Sequence, residues 1–134
     1  VLEQRVRPDF DHFVRYAFED ASLEYVARLA QNGQLPFLPE RIGRWWIADE
    51  EIDVVAISNT DRALLVGECK WTARPVGGNI LDDLQRKTQR LMGNDEWSQV
   101  TYALFAKSGF TPALQEVAAA EGILLVEAGD MVRF

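Results

Sequence analysis

Cysteine and histidine are almost absent from this sequence of 134 residues, which contains one of each, Cys69 and His12. A single cysteine excludes an internal disulfide and any zinc site built from several thiolates. A single histidine excludes metal sites of the HExxH type, and any Ser-His or Cys-His pair would have to use His12. A hydrolase built on this chain must therefore use carboxylates, lysine or a hard metal ion.

Long apolar runs are absent as well. No stretch approaches the roughly 18 apolar residues that a membrane span requires, and the first residues are charged rather than signal-like. We therefore expect a cytoplasmic protein that has no membrane segment. The length and the 48% content of hydrophobic residues indicate a single ordered domain over residues 1–134.

Lysine is also scarce. Among the fourteen basic residues only three are lysines, Lys70, Lys87 and Lys107. The net charge of −7 argues against binding nucleic acid through bulk electrostatics, although a local basic groove stays open. In a chain that prefers arginine, Lys70 is consistent with a place where a compact ammonium group is wanted.

The spacing of apolar residues predicts an α-β-β-β-α-β-α-β order. From about Asp9 to Ala30 they recur every three or four residues, which indicates an amphipathic helix that begins near Pro8 and ends at Asn32-Gly33. Three short segments rich in β-branched and aromatic residues follow, and they predict an antiparallel meander. A helix between the third and fourth strands predicts a crossover, and hence a mixed sheet with helices on both faces. The predicted strands are 41–48, 51–58, 63–71, 99–106 and 123–128, and the later helices are 79–92 and 112–121.

The stretch GECKW at positions 67–71 places an acid and a base in an otherwise apolar strand. Because side chains alternate along a strand, Glu68 and Lys70 share one face and Cys69 points to the other. Asp53 lies on the preceding strand, so pairing can bring its carboxylate beside that of Glu68. Two carboxylates this close stay ionised only if a cation compensates them, and a hard divalent ion does so. The alternative is an ordinary ion pair of Glu68 and Lys70 on an exposed strand.

The pattern EIDVVA, followed by GECKW, resembles the PD-(D/E)xK nuclease superfamily, which has the restriction-endonuclease-like fold. YAFED, RIGRWW and LFAKSGFTPAL occur in the expected order around this pattern. They make the chain most similar to the C-terminal domain of archaeal-type P-loop ATPases. The resemblance implies an α/β fold with an αβββαβ core, in which helices flank a mixed central sheet. Ile52 stands where the motif of the superfamily often has proline.

The resemblance also implies a site. Asp53 matches the first acid of the motif, Glu68 the second and Lys70 the lysine, and these would be the catalytic residues. Glu19 matches an acid on the first helix, so Glu19, Asp53, Glu68 and the carbonyl of Cys69 would hold Mg2+ or Mn2+. Lys70 would orient or deprotonate the attacking water, or stabilise the developing negative charge.

Nucleic-acid contacts are expected from residues near this site. Arg44 and Arg74 would contribute to a local track for phosphate groups, and Gln85 on the crossover helix would contact a water or a phosphate. Glu51 matches no position of the motif and is expected to have no role.

The resemblance leaves two functions open. The first is a Mg2+-dependent deoxyribonuclease that cuts DNA of unspecified form, works with a P-loop ATPase and acts as a monomer or a homodimer. The alternative is a non-cleaving nuclease-fold module that docks on an ATPase or another partner. In both cases a chain that starts at Val1 is expected to be a domain excised from a longer protein that contains an ATPase.

Overall fold

The computed structural model of the chain describes residues 2–132, with side chains described from residue 10 onward. Helices and strands fill most of this range. They are α1 Leu2–Gln31, β1 Arg41–Ile47, β2 Glu50–Ser58, β3 Ala63–Lys70, α2 Gly78–Met92, β4 Gln99–Ala106, α3 Pro112–Glu121, β5 Leu124–Glu127 and α4 Ala128–Met131.

The strands form one five-stranded sheet in the order β1-β2-β3-β4-β5. β1, β2 and β3 are an antiparallel meander, whereas β4 runs parallel to β3 and β5 runs parallel to β4. The parallel pairs arise because α2 and α3 return the chain to the end of the sheet from which each strand started. The predicted α/β class, the αβββαβ order of elements and the mixed sheet flanked by helices are thereby confirmed.

Both faces of the sheet are apolar, which is why helices cover both of them. On one face Leu64 belongs to a core that includes Leu84 of α2. On the other face Leu65 and Phe105 belong to a core that includes Phe18 of α1. The central strand β3 is therefore held between two layers of helices, and its end is the place where residues from both layers can meet.

The first helix is longer than the sequence predicts. A start near Pro8 is wrong, because α1 begins at Leu2 and continues through the proline. Proline removes one N–H donor from a helix, and a helix of 30 residues keeps its other hydrogen bonds. The predicted end is confirmed: the Asn32 N–H bonds to the carbonyl oxygen of Arg28 at 3.0 Å, and Gly33 adopts a φ of 68°.

One short element is absent from the sequence prediction. α4 is a single turn, which is too short to show helical periodicity. It is held by a capping box, in which the backbone N–H of Glu127 donates to Asp130 Oδ2 at 3.0 Å. Neither α4 nor any other helix in residues 2–132 is both long enough and apolar enough to cross a lipid bilayer.

A β-bulge in β2 lies at the position that matters for the site. The register of β1 against β2 shifts between Gly43 and Trp45. At this point two residues of β2, Asp53 and Val54, oppose the single residue Arg44 of β1. A bulge bends its strand and changes the direction of a side chain, so Asp53 lies at a break in the regular alternation.

Gly67 of β3 packs too closely for any larger residue. A Cβ atom there would lie 2.9 Å from Phe105 Cε2 and 3.2 Å from both the Ala103 carbonyl oxygen and Val54 Cβ. We expect Gly67→Ala to lower the free energy of unfolding by ~1–3 kcal/mol, as overpacked cores do, in urea or thermal unfolding. Gly43→Ala is the matched control, because open space surrounds a Cβ at that position. Equal losses for the two variants would contradict the close packing.

Candidate metal centre

The acids matched from the sequence line a cleft at the end of the sheet. Its volume is about 690 Å3. Four segments form its walls: α1, the β1–β2 turn with the start of β2, the end of β3 with the residues after it, and α2. The lining residues are Arg15, Phe18, Glu19, Asp49, Glu50, Glu51, Asp53, Glu68, Cys69, Lys70, Trp71, Thr72, Asp83, Arg86 and Lys87.

Asp53 and Glu68 meet where the ladder between β2 and β3 opens. The last pair of that ladder is Val54 opposite Gly67, and Asp53 and Glu68 are the next residues in register. Asp53 Oδ2 accepts a hydrogen bond from the backbone N–H of Cys69 at 2.9 Å. The Asp53 and Glu68 carboxyl groups lie close enough together for Glu68 to raise the pKa of Asp53. The structure thus brings together the two acids that the sequence predicts to be neighbours.

Three carboxylates crowd around Asp53. Glu19, Glu51 and Asp53, which we call the acidic group, each place one oxygen within 4.8 Å of the others. Burial, followed by repulsion from Asp53, raises the pKa of Glu19 and of Glu51. Burial and the neighbouring Glu68 raise the pKa of Asp53 to about 7. These raised values mean that nearby positive charge does not fully compensate the carboxylates.

Glu51 is an acid of the site that the motif does not include. The family motif gives it no role, but the structure places its carboxylate in the acidic group. The available signal was strand alternation, since residues 51 and 53 are two apart on one strand. Because the motif includes only Asp53 of this strand, it gives no indication that Glu51 contributes to the acidic group.

Glu68 is paired with a lysine that the motif does not include. Its side chain is 5% exposed, and Lys87 Nζ of α2 lies 2.9 Å from Glu68 Oε1. The available signal for Lys87 was its position next to Leu84 and Thr88, which face the core. Lys70 lines the same cleft, and within residues 10–132 its ammonium group has no hydrogen bond or ion pair.

None of the three residues expected to contact nucleic acid lines the cleft. The Arg44 side chain is 13% exposed and donates to Glu19 Oε1 at 3.2 Å and to Asp20 Oδ1 at 2.7 Å. Arg44 therefore pairs with two acids of α1, and its contact with a phosphate group stays a prediction. Arg74 and Gln85 lie outside the lining of the cleft, and their contacts with nucleic acid stay predictions.

The side chain of Cys69 packs into the core, whereas its backbone faces the acids of the site. Its side chain packs against the core on the α1 side, as strand alternation predicts, and burial raises the pKa of its thiol. Its backbone N–H is occupied by Asp53. The role of its carbonyl oxygen as a metal ligand stays a prediction.

The donors of the cleft fit a hard divalent cation. They are carboxylate oxygens, which suit Mg2+, Mn2+ and Ca2+ and do not favour metals that prefer thiolate. Burial raises the pKa values of Glu19, Glu51 and Asp53, and repulsion between neighbouring carboxylates raises them further, so a cation among these groups would be stabilised. The acidic group could therefore bind a metal ion, and its chemistry does not select one ion.

Metal-free protein should become less stable as the pH rises toward 7. The pKa of Asp53 is about 7 in the folded chain against 3.8 ordinarily, so between these values the folded state holds a proton that the unfolded state has released. The stability from this proton is complete below about pH 4 and is lost as the pH rises through 7.

Asp53→Asn isolates this effect, because asparagine keeps an oxygen acceptor for the Cys69 N–H but cannot ionise. In EDTA we expect the Tm of the variant to exceed that of wild type by more at pH 8 than at pH 5, measured by circular dichroism, because only part of the stability is lost by pH 5. Asp61→Asn, in the exposed turn between β2 and β3, is the control and should follow wild type. A difference between Asp53→Asn and wild type that is the same at both pH values would contradict the raised pKa.

Two comparisons with known proteins give partial matches. An uncharacterized protein of Methanocaldococcus jannaschii is 34% identical over 107 residues, which are 78% of this chain. The match covers only 24% of that relative, so this chain spans about a quarter of its length. The crystal structure of a repair endonuclease from Pyrococcus abyssi matches 76% of this chain and 44% of its own, with a TM-score of 0.49 and 19% sequence identity.

A family model matches one continuous part of the sequence, which begins at the first residue. It is the DUF234 model, described as archaea bacterial proteins of unknown function, and it matches residues 1–90. These residues include α1, the meander, the acidic group, Glu68 and most of α2. Because the match covers well over half of the chain, the protein belongs to the DUF234 family.

Proposed function

We propose that this chain is a metal-dependent nuclease that hydrolyses phosphodiester bonds in DNA. The observation that carries the proposal is the acidic group with Glu68 beside it and the Lys70 ammonium in the same cleft. Carboxylates that raise one another's pKa favour a bound cation, and perturbed titratable groups in a cleft are typical of active sites. The match of Asp53, Glu68 and Lys70 to the PD-(D/E)xK pattern supports the same chemistry.

Mg2+ or Mn2+ is the proposed ion. Asp53 and Glu68 would hold it, with further oxygens from Glu19, Glu51 and the carbonyl of Cys69. When bound, such an ion polarises a phosphoryl oxygen and neutralises charge at the scissile phosphate. Because the pKa of Asp53 is raised to about 7, metal binding would become more favourable as the pH rises and this carboxyl group ionises.

Lys70 would act on the attacking water and on the phosphate. It lies two residues after Glu68 at the end of β3, and its side chain lines the cleft. Its N–H groups would orient the water and hydrogen-bond to the phosphoryl oxygens as negative charge develops there. Arginine would be a poor replacement, because its guanidinium group is larger and does not release a proton.

DNA would be held locally, because the net charge of −7 opposes binding through the whole surface. Arg15 and Lys70 line the cleft, and the exposed Arg74 lies on the segment between β3 and α2. These cations, with Arg44 and Gln85 as further candidates, would contact phosphate groups. We propose that a P-loop ATPase in a longer protein delivers DNA to a domain that binds it weakly alone.

Purified protein should cleave DNA in Mg2+ or Mn2+ and should not cleave it in EDTA. Asp53→Ala should abolish activity because it removes a central ligand, and Lys70→Ala should lower the rate ~100-fold or more because it removes a proton donor at the reacting atoms. Gel assays on single-stranded, duplex and branched DNA would measure both effects. Asp61→Ala, which removes an exposed acid in the β2–β3 turn, is the control. The proposal fails if no form of DNA is cut, or if Lys70→Ala keeps full activity.

The exposed side of α1 favours a second role, which is docking on a P-loop ATPase. Phe10, Phe13 and Tyr16 follow one another at three-residue spacing and are 61%, 69% and 50% exposed. Large apolar side chains aligned along a helix are typical of surfaces that bind another protein. This role does not need an active cleft, and it is compatible with cleavage.

Phe13→Ser should weaken binding to the ATPase part of a longer protein by ~10-fold or more, because a central aromatic contact is lost. The thermal stability of the Phe13→Ser variant should stay unchanged, since the Phe13 side chain is exposed. Titration calorimetry would measure the affinity, and Leu38→Ser, which removes an apolar side chain that is 71% exposed elsewhere, is the matched control. Equal affinities for the two variants would exclude this face of α1 as the docking surface.

A further inference from the structure

We infer that Lys87 is a positioning residue, which holds the Glu68 carboxylate and the start of β2 in the arrangement that receives the cation. The inference rests on the proposed function and gives α2 a part in the site. It also separates the two lysines of the cleft, because Lys70 stays available to the substrate while Lys87 does not.

Two of the three hydrogens of the Lys87 ammonium group form hydrogen bonds inside the site. Nζ donates to Glu68 Oε1 at 2.9 Å and to the Glu51 carbonyl oxygen at 3.0 Å, and it forms an ion pair with Asp83, whose Oδ2 lies 3.6 Å away. The side chain is 14% exposed, and that of Glu68 is 5% exposed. An ammonium group has three donors and no acceptor, so two donors are already used by Glu68 and the Glu51 carbonyl.

The packing of α2 against the core fixes the position of the Lys87 ammonium group. Leu81, Leu84 and Thr88 of the helix are buried, and Thr88 Oγ1 donates to the Leu84 carbonyl oxygen at 2.7 Å. Lys87 precedes the buried Thr88, so its side chain leaves the helix at the edge of the core face. The position of Nζ at the end of β3 is therefore set by the packing of the whole helix.

Each contact has a consequence for the cation site. Because Oε1 of Glu68 is bound to Lys87, the other oxygen of this carboxylate is left for the cation. Because the Glu51 carbonyl is bound as well, the start of β2 is tied to α2, and the Glu51 carboxylate stays in the acidic group. Partners that orient metal ligands in this way typically contribute ~10–100-fold to metal affinity.

A lysine that merely neutralised the cleft would have the opposite effect. Its positive charge would compete with the cation for Glu68, and removing it would strengthen metal binding. A positioning lysine assists the cation, and removing it weakens binding. The sign of the change in metal affinity therefore distinguishes the two roles.

The test is titration calorimetry of Mn2+ into protein without DNA. We expect Lys87→Met to weaken Mn2+ binding by ~10-fold or more. Lys87→Arg, which keeps N–H donors for Glu68, should restore part of the affinity. Arg90→Met is the matched control, because Arg90 also pairs from α2 to an acid of β2, Glu50, but lies outside the cleft lining.

Cleavage assays give a second readout. Lys87→Met should raise the Mn2+ concentration needed for half-maximal cleavage and leave the rate at saturating Mn2+ close to that of wild type. Lys70→Met should do the reverse, lowering the saturated rate without weakening Mn2+ binding. If Lys87→Met does not fold, Lys87→Gln replaces it, since it removes the charge but keeps the two N–H donors of an amide, and it should also bind Mn2+ more weakly.

Failure of the inference is distinct from failure of the proposed function. If wild type binds Mn2+ and cleaves DNA but the Lys87 variants bind it equally or more tightly, the positioning role is wrong and the nuclease stands. If wild type binds no Mn2+, the nuclease proposal fails, and a crystal structure of Lys87→Met decides the role of the lysine. A displaced Glu68 side chain would support positioning, and an unchanged one would overturn it.

Discussion

Repulsion between carboxylates at the place where β2 and β3 separate is the constraint on which the site depends. Asp53 contacts Glu68 across the open end of the ladder and shares the acidic group with Glu19 and Glu51. No ordinary core would collect four acids, because each carboxylate raises the cost of ionising its neighbours. The bulge at Asp53 and the close packing at Gly67 keep the two strands in this arrangement.

Positive side chains pair with acids on two sides of the site, and among the described residues no ion pair to Asp53 is formed. Arg44 pairs with Glu19 at 3.2 Å and lies 3.9 Å from Glu51, whereas Lys87 pairs with Glu68 at 2.9 Å. Asp53 lies between these pairs and has the backbone N–H of Cys69 as its hydrogen-bond donor. The carboxylate with the weakest compensation is thus the one that all the others surround. A cation placed there would contact the most oxygens, which is why we assign Asp53 the central role.

Much of the fold could be predicted from the sequence, because the strands and later helices follow simple periodic patterns. The meander, the crossover by α2 and the meeting of Asp53 with Glu68 all follow from alternation and short turns. The start of α1 and the single turn of α4 could not be predicted, since a proline inside a long helix and a four-residue helix leave no periodic signal.

The candidate site was less predictable than the fold, for a physical reason. The motif identifies residues on β2 and β3, but charge compensation depends on which residues of the neighbouring elements reach the end of the sheet. Lys87 and Arg44 are paired with acids 19 and 25 residues away in the sequence, and only the packing of α1 and α2 brings them there. Glu51 was within reach of the sequence, but it lay outside the motif.

The most direct measurement of the central claim is anomalous X-ray diffraction from a crystal soaked in Mn2+. The account predicts one strong anomalous peak at about 2.1 Å from an oxygen of Asp53, with Glu68 and a member of the acidic group completing the contacts. A map without an anomalous peak in the cleft would contradict the account.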